Sequence, residues 1–414
     1  MTNLSELTTL RVGGPAERII APATTRELVE SALDVWASGD ECFVLGGGSN
    51  VVIADEGFHG TVIRVVTRGI EVSRDAGHVW ASSALGRDLT AAVPPASAVI
   101  SAIASEAAPA AEVTATLART AKQPSKVYLR VQAGQNWDEL VAWTVENGWS
   151  GMEALSGIPG SVGAAPIQNI GAYGQEMADV LTAVEFLDYE TGEVLRLPAG
   201  ELGFGYRTSV FKQGRRGIVL AVELELDDIL GASAPIAYPQ LAAALSAEVG
   251  DRVRVSEVRD AVLALRASKG MVLDEADADS WSAGSFFTNP IVSEEFARAL
   301  PPDAPRWPLW DEPQDLAVPL GAEPASPPEH DERMVKLSAA WLIERSGISR
   351  GFRLTGSRAA ISSKHTLAIT NTGGATAAEV LQLASFVQTR VMSEFGVQLQ
   401  PEPVVLAPPV EYHG

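Results

Sequence analysis

Apolar residues recur along the chain with two periods, and together they divide it into short strands and amphipathic helices. Thr24-Thr25-Arg26-Glu27 reads as a capping box, a hydroxyl and a carboxylate each covering an unpaired N–H of the first turn. Leu28, Val29, Ala32, Leu33 and Trp36 then fall on one helical face, and Gly39 ends the helix. The run Cys42-Phe43-Val44-Leu45 predicts a buried strand, as do Val51-Val52-Ile53, Val62-Ile63-Arg64-Val65 and Val79-Trp80-Ala81. Residues 127–131 predict another strand, followed by a helix with Trp137, Leu140, Val141, Thr144 and Val145 inward and Gly148 beyond its end. Residues 184–197 read as a hairpin turning at Thr191-Gly192, and residues 218–226 as a further strand. A helix starts at Ser256, carries Val258, Val262 and Leu265, and stops near Lys269-Gly270. Another begins near Lys336. Thr376-Ala377-Ala378-Glu379 caps a last one bearing Val380, Leu383, Val387 and Val391, ended by Gly396.

Three stretches break this rhythm. Residues 86–125 are rich in Ala and Pro with little period, and read as a surface insertion. Residues 301–328 form a Pro-rich connector. Residues 151–174 are punctuated by glycine with little helix signal, which predicts a long ordered loop of the kind that carries function. The expected architecture is α+β: a first domain over 1–227, a smaller α+β lobe over 228–397, and a tail over 398–414.

Composition narrows the function. A chain of 414 residues, 46% hydrophobic, is long enough for two or three cores. The net charge of -21 argues against a nucleic-acid surface, which needs clustered Lys and Arg. An anionic ligand must therefore meet cations placed locally. Cys42 is the single cysteine, so neither an internal disulfide nor a thiolate metal cluster is available. The five histidines are scattered without metal-ligand spacing, and no metal is expected. Met1-Thr2-Asn3-Leu4-Ser5-Glu6 has no basic and apolar leader pattern, and the apolar stretch 91–117 is broken by prolines and glutamates. The cytoplasm is the expected compartment.

Four blocks carry candidate chemistry. Gly46-Gly47-Gly48-Ser49-Asn50 follows a strand and is followed by another, so it fits neither the dinucleotide fingerprint nor the Walker loop. Its successive N–H groups suit a pyrophosphate, although a tight inter-strand turn explains the pentapeptide equally well. The second block runs from Gly157-Ile158-Pro159-Gly160 through Gly163, Ala164, Gln168 and Asn169 to Gly171-Ala172-Tyr173-Gly174. Small residues at this density let a backbone lie flush against a flat ligand, while Gln168 and Asn169 offer amides to ring atoms. The third block is Phe204-Gly205-Tyr206-Arg207-Thr208-Ser209 and the fourth Ala283-Gly284-Ser285-Phe286-Phe287-Thr288-Asn289-Pro290. Taken singly, Arg207 reads as a surface ion-pair partner and Ser285 as a turn hydroxyl.

In this order the four blocks resemble the UDP-N-acetylenolpyruvoylglucosamine reductase (UDP-N-acetylmuramate dehydrogenase) family. The likeness runs from Thr9-Leu10-Arg11-Val12-Gly13-Gly14 to Gln400-Pro401-Glu402 and takes in residues 336–344. It implies an FAD-binding domain of the vanillyl-alcohol-oxidase (PCMH) type, a substrate-binding lobe and a tail returning to the active site. It implies non-covalent FAD, NADPH as hydride donor, and the enolpyruvyl ether of UDP-N-acetylglucosamine as substrate. The implied cofactor-binding residues are Gly46, Gly47, Gly48, Ser49, Asn50, Gly157, Ile158, Pro159, Gly160, Gly163, Ala164, Gln168, Asn169, Gly171, Ala172 and Tyr173. Arg207, Ser285 and Glu402 fall on the family's catalytic positions. Tyr206, Tyr238, Lys269, Asn289 and Lys336, with Arg207 and Ser285, are the implied substrate contacts. The Ala237-Tyr238-Pro239 segment points to the type I branch, while Lys269-Gly270-Met271-Val272-Leu273-Asp274 departs from the usual pattern around the lysine. On sequence alone Lys269 serves a helix C-terminal dipole as well as a diphosphate, and Glu402 serves equally as a solvated tail residue. A monomer is expected, with neither nucleic acid nor membrane as partner. An alcohol- or sugar-oxidising flavoenzyme of the same fold is the alternative, and a flavin-binding sensor without turnover a further one. Cys42 lies in a strand-like run and no histidine is suitably set to tether a flavin.

Overall fold

A computed structural model describes residues 2–75, 77–78, 80, 125–309 and 333–406. The insertion over 86–124, Val79 and Ala81 of one expected strand, residues 310–328 of the connector and residues 407–414 of the tail lie outside them. The chain forms two compact units. The first comprises Met1–Thr9, Gly14–Ser49 and Glu56–Leu273, the second Leu10–Gly13, Asn50–Asp55 and Asp274–Gly414.

In the first unit the strands Ala16–Ile20, Phe58–Arg64 and Cys42–Leu45 make a parallel sheet with Phe58–Arg64 in the centre. The helix Thr25–Ser38 links the two outer strands. Its Thr24/Glu27 capping box is formed, and Gly39 closes it in the left-handed conformation that glycine adopts without strain. A larger antiparallel sheet orders Val194–Pro198, Leu181–Asp188, Gly217–Asp228, Ser125–Gln132 and Ile70–Ser73, with Trp149–Ser150 pairing the end of the central strand. Strand alternation puts Val127, Leu129 and Val131 on the core face with Ile218, Leu220, Val222 and Leu224. Trp137, Leu140 and Val141 of the helix Trp137–Glu146 belong to the same core. The other face is laced by ion pairs: buried Arg130 holds Glu71 and Glu185, and Arg196 holds Glu223.

The helix Val255–Ser268 belongs to this unit and not to the second lobe. Val258 and Val262 pack with Ala154, Ile236, Leu241 and Ala242, and Arg259 grips Asp138 through two bonds of 2.6 and 2.9 Å. The division therefore falls after Leu273, where the change of texture had placed it at 227/228.

In the second unit the helix Ala377–Phe395 buries Val380, Leu383, Val387 and Val391, as its period predicts. Its N-terminus is doubly covered, since Asp55 accepts from the N–H groups of Ala377 and Ala378. Lys336 is not at a helix start. It lies in the strand Met334–Leu337 at the centre of a three-stranded antiparallel sheet, and the helix begins at Ala339 behind a Ser338 cap. Val51–Ile53 pairs in parallel with Val404–Leu406, so the tail is a strand of this unit up to that point. Among the described residues no helix is long and apolar enough to cross a membrane.

Candidate active site

In the first unit the two glycine blocks lie against one another. A Cβ on Gly47 would stand 2.6 Å from the Cα of Gly160, and one on Gly46 2.5 Å from the Oγ of Ser161. Both distances are inside van der Waals contact; at Gly47 the neighbour is backbone, so only glycine allows that approach, whereas at Gly46 it is a serine hydroxyl. Gly48, at φ +64°, is pressed on the carbonyl of Leu7. Gly47 and Gly48 thus serve close approach of backbone to backbone. No backbone carbonyl among the described residues takes the N–H groups of residues 46–49, which leaves a row of donors of the kind that holds phosphate oxygens. That row fits the pyrophosphate of FAD.

The second block is less of a bare loop than its composition predicts. Val162–Gln168 is wound as a 3-10 helix with Pro166 inside it, and Asn169 ends it at φ 49°. Three residues per turn leave no 3.6-residue period to read. Two residues of this block are spent on the fold. Gly163 faces Ala133, where a Cβ would stand 2.5 Å from the Ala133 Cβ, and its N–H donates to the Ala133 carbonyl. Buried Asn169 donates to the carboxylate of Glu176 (2.8 Å) and the carbonyl of Gly205 (3.2 Å), and accepts from the N–H of Ala178 (2.9 Å). Its amide donors tie the loop to the turn that carries Arg207 and are used up there. Gln168 is buried and accepts from Lys212 at 3.5 Å.

Arg207 sits at φ 55°, in a tight turn where Gly205 and Thr208 exchange two backbone hydrogen bonds. A non-glycine residue in this conformation is strained, and such strain concentrates at functional positions. Its Nη2 donates to the carbonyl of Gly171 at 2.9 Å, which fixes the guanidinium on the glycine-rich loop 157–174. Tyr206 beside it is exposed.

Tyr173, Tyr238 and Lys269 come together in the first unit. The two tyrosine rings meet edge to face at 5.7 Å, and the Lys269 ammonium lies 5.6 Å from the Tyr173 ring centre and 3.1 Å from Gln240 Oε1. Burial and then nearby Arg266 hold the lysine below the ordinary ammonium range. Burial also raises the Tyr173 phenol, against the pull of Arg266. Arg266 is the residue the sequence reading missed. Three positions before Lys269, it shares that helix face. Its Nε is buried without a hydrogen-bond partner and faces Gly157, whose Cβ position lies 3.4 Å away. Burial depresses its pKa to about 10, with Tyr173 and Asp138 pulling upward. It remains a cation at neutral pH, and an orphaned buried donor beside a glycine loop is what an anionic ligand would satisfy.

In the second unit Ser285 follows Gly284, which is at φ +76°, and precedes Phe286 and Phe287, both buried and in edge-to-face contact at 5.3 Å. These rings anchor the segment and leave Ser285 half-buried. The N–H of Glu402 donates to the Phe286 carbonyl at 2.9 Å, and that of Thr288 to the Gln400 carbonyl at 3.1 Å. Ser285 and Glu402 are thereby carried on adjoining strands of chain. Asn289 accepts from the N–H of Ala339 at 3.0 Å, and the neighbouring Ile291 is in register with Lys336, so this pair is also brought together. Among the described residues no group of side chains could hold a metal ion.

Comparison with known proteins bears on the family to which the chain belongs. Residues 113–198 match the family model of an FAD binding domain, and residues 275–406 that of the C-terminal domain of UDP-N-acetylenolpyruvoylglucosamine reductase. The UDP-N-acetylenolpyruvoylglucosamine reductase of Leifsonia xyli subsp. xyli is 55% identical, with 97% of each chain covered. That of Thermobifida fusca is 45% identical over 97% of this chain and 96% of its own. The crystal structure of the Thermus caldophilus enzyme matches with a TM-score of 0.55 at 26% identity, covering 98% of both chains. The chain belongs to the UDP-N-acetylenolpyruvoylglucosamine reductase family.

Proposed function

We propose that Arg207, Ser285 and Glu402 are the residues through which this chain carries out its family's reaction. That reaction is the FAD-dependent, NADPH-driven reduction of the enolpyruvyl ether of UDP-N-acetylglucosamine to UDP-N-acetylmuramate, a step of peptidoglycan precursor synthesis. Residues 46–49, with 157–160 and 171–173, would hold the FAD. When bound, it supplies the hydride that reaches the substrate's methylene carbon. Negative charge then develops on the α-carbon and carboxylate. The fixed guanidinium of Arg207 stabilises that charge more in the transition state than in the ground state. The α-carbon is basic enough at that point for the hydroxyl of Ser285 to protonate it. Glu402, in its protonated form, polarises the substrate carboxylate. Tyr173, Tyr238, Lys269 and Arg266 suit a uridine diphosphate, aromatic edges for the base and cations for the phosphates. Asn289 and Lys336 supply further polar contacts.

The observation that carries this reading is the bond from Glu402 N–H to the carbonyl of Phe286, because it puts the two proton-handling groups on adjoining segments. The Ala237-Tyr238-Pro239 segment supports assignment to the type I branch. The test is Ser285→Ala in the FAD-loaded enzyme, with the two half-reactions followed separately by flavin absorbance. Reduction by NADPH should proceed as in the parent, whereas reoxidation by the enolpyruvyl substrate should slow about 100-fold or more, as loss of a general acid does. Reoxidation at the parental rate would remove Ser285 from the mechanism. Consumption of oxygen with an alcohol, without any response to NADPH, would favour the oxidase reading.

A further inference from the structure

We propose that Asn50, the last residue of the glycine pentapeptide, is a positioning residue for Glu402, acting on the carboxyl through the backbone that carries it. The inference rests on the assignment of Glu402 above. Glu402 lies between Pro401 and Pro403, neither of which has an N–H. Across residues 401–403 the sole backbone donor is therefore that of Glu402, and the Phe286 carbonyl takes it at 2.9 Å. A residue before proline is also held to extended conformations. Pro403 denies the neighbouring strand a ladder bond at the next step, and the chain resumes ordinary pairing only at Val404, whose N–H donates to the Asn50 carbonyl at 3.0 Å.

The Asn50 side chain fills this gap. Its Nδ2 donates to the Glu402 carbonyl at 3.3 Å. Both peptide groups flanking the Glu402 Cα are thus fixed, one by the segment that carries Ser285 and the other by Asn50. A side chain so mounted has few ways to move other than rotation about its own bonds, which is the precision a proton-handling group requires. The family likeness places Asn50 among the cofactor-binding residues. Here an amide hydrogen of its side chain goes to Glu402, while residues 46–49 keep the row of N–H groups. The same five residues would then serve FAD at one end and the catalytic acid at the other.

Asn50→Asp keeps the shape of the side chain and turns the donor into an acceptor facing a carbonyl. In the FAD-loaded variant, reduction by NADPH should stay within about threefold of the parent, and reoxidation by the enolpyruvyl substrate should slow about tenfold or more through misplacement of Glu402. Asn50→Ala, which removes the donor without adding charge, should show the same split if the aspartate variant does not fold. Combining either with Glu402→Gln gives the decisive measurement, because residues that act as one unit are not additive. On the Glu402→Gln background the Asn50 substitution should change reoxidation by less than about twofold. Additive losses, or weakened FAD binding with parental reoxidation at saturating FAD, would overturn the assignment of Asn50. A Glu402→Gln enzyme that reoxidises at the parental rate would instead overturn the role of Glu402, and this proposal with it.

Discussion

At the scale of single residues, the proposed chemistry rests on groups whose types were legible in the sequence and whose company was not. Arg207 and Ser285 stand out only within their motifs, since an arginine in a turn and a serine after glycine are ordinary. What the fold adds is the strained turn that aims Arg207 at Gly171 and the phenylalanine pair that anchors Ser285. Arg266 shows the reverse case. Nothing in its local pattern marks it, because an arginine at the end of a helix is normally solvated. Only burial of its Nε against Gly157 makes it conspicuous. Its folded pKa of about 10 lies below that of an exposed guanidinium, so above about pH 10 the unfolded chain binds more protons than the folded one. Stability contributed at this position therefore rises as pH climbs past about 10, and at neutral pH the buried charge is a cost. Arg266→Met should stabilise the ligand-free protein by about 1 kcal/mol, since an apolar side chain of similar volume replaces a shielded cation. The same change should weaken FAD or nucleotide binding about tenfold by removing a charge-assisted contact. Thermal melting of the apoprotein and titration with FAD and UDP measure the two effects. A variant that melts lower and binds both ligands normally would make Arg266 a structural residue.

At the scale of elements, capping and periodicity predicted the longer helices and the strands of the first unit's central sheet, because those signals are local, and missed most of the short strands. The helices Thr25–Ser38 and Ala377–Phe395 have the caps and the inward faces that the sequence specifies. The 3-10 helix Val162–Gln168 and the strand Met334–Leu337 were not legible, the first for lack of an α-helical period and the second because it is only four residues long. Asp138 is an element-level joint. It accepts from the N–H of Gly157 at 2.6 Å and from both arms of Arg259, and so ties the helix Val255–Ser268 to the start of the glycine-rich loop 157–174. Burial alone would raise its pKa, but the bonds from Arg259 and Gly157 outweigh that and lower it below the usual aspartate value. A depressed carboxyl pKa gives stability that is present above the unfolded value of about 3.9 and is lost as pH falls through the folded one. Asp138→Asn should cost about 1–3 kcal/mol at neutral pH, the range for a charge-assisted bond broken with its partner left in place. The variant should also lose less stability than the parent as pH falls below about 4. Denaturant melts at pH 7 and below pH 4 read both, and equal acid sensitivity in parent and variant would contradict the assignment.

At the scale of the whole molecule, the division into two units was the part least visible from the sequence. Patterning reads the chain in order, whereas the second unit is assembled from three pieces. The chain passes between the units after Thr9, Gly13, Ser49, Asp55 and Leu273. The two short visits matter to the second unit's core. Leu10, Val12 and Val52 are buried in it, Val51–Ile53 supplies the strand that Val404–Leu406 pairs with, and Asn371 holds the carbonyls of Leu10 and Arg11. Asp55 covers the first turn of its longest helix. Burying three aliphatic side chains contributes about 1.5–3 kcal/mol each, roughly 5–9 kcal/mol together. That is comparable with the entire stability of an ordinary domain, about 5–15 kcal/mol. A fragment starting at Asp274 has all the residues of the family's C-terminal domain match and lacks both short pieces. Its expected behaviour is that of an unfolded or aggregating chain, with no cooperative thermal transition. Restoring residues 10–13 and 50–55 in cis, by joining them to its N-terminus through flexible linkers, should recover a measurable transition by supplying the missing core and strand. A cooperative melt from the bare fragment would mean that the second unit closes its core without them, and that the two visits serve the ligand loops rather than the fold.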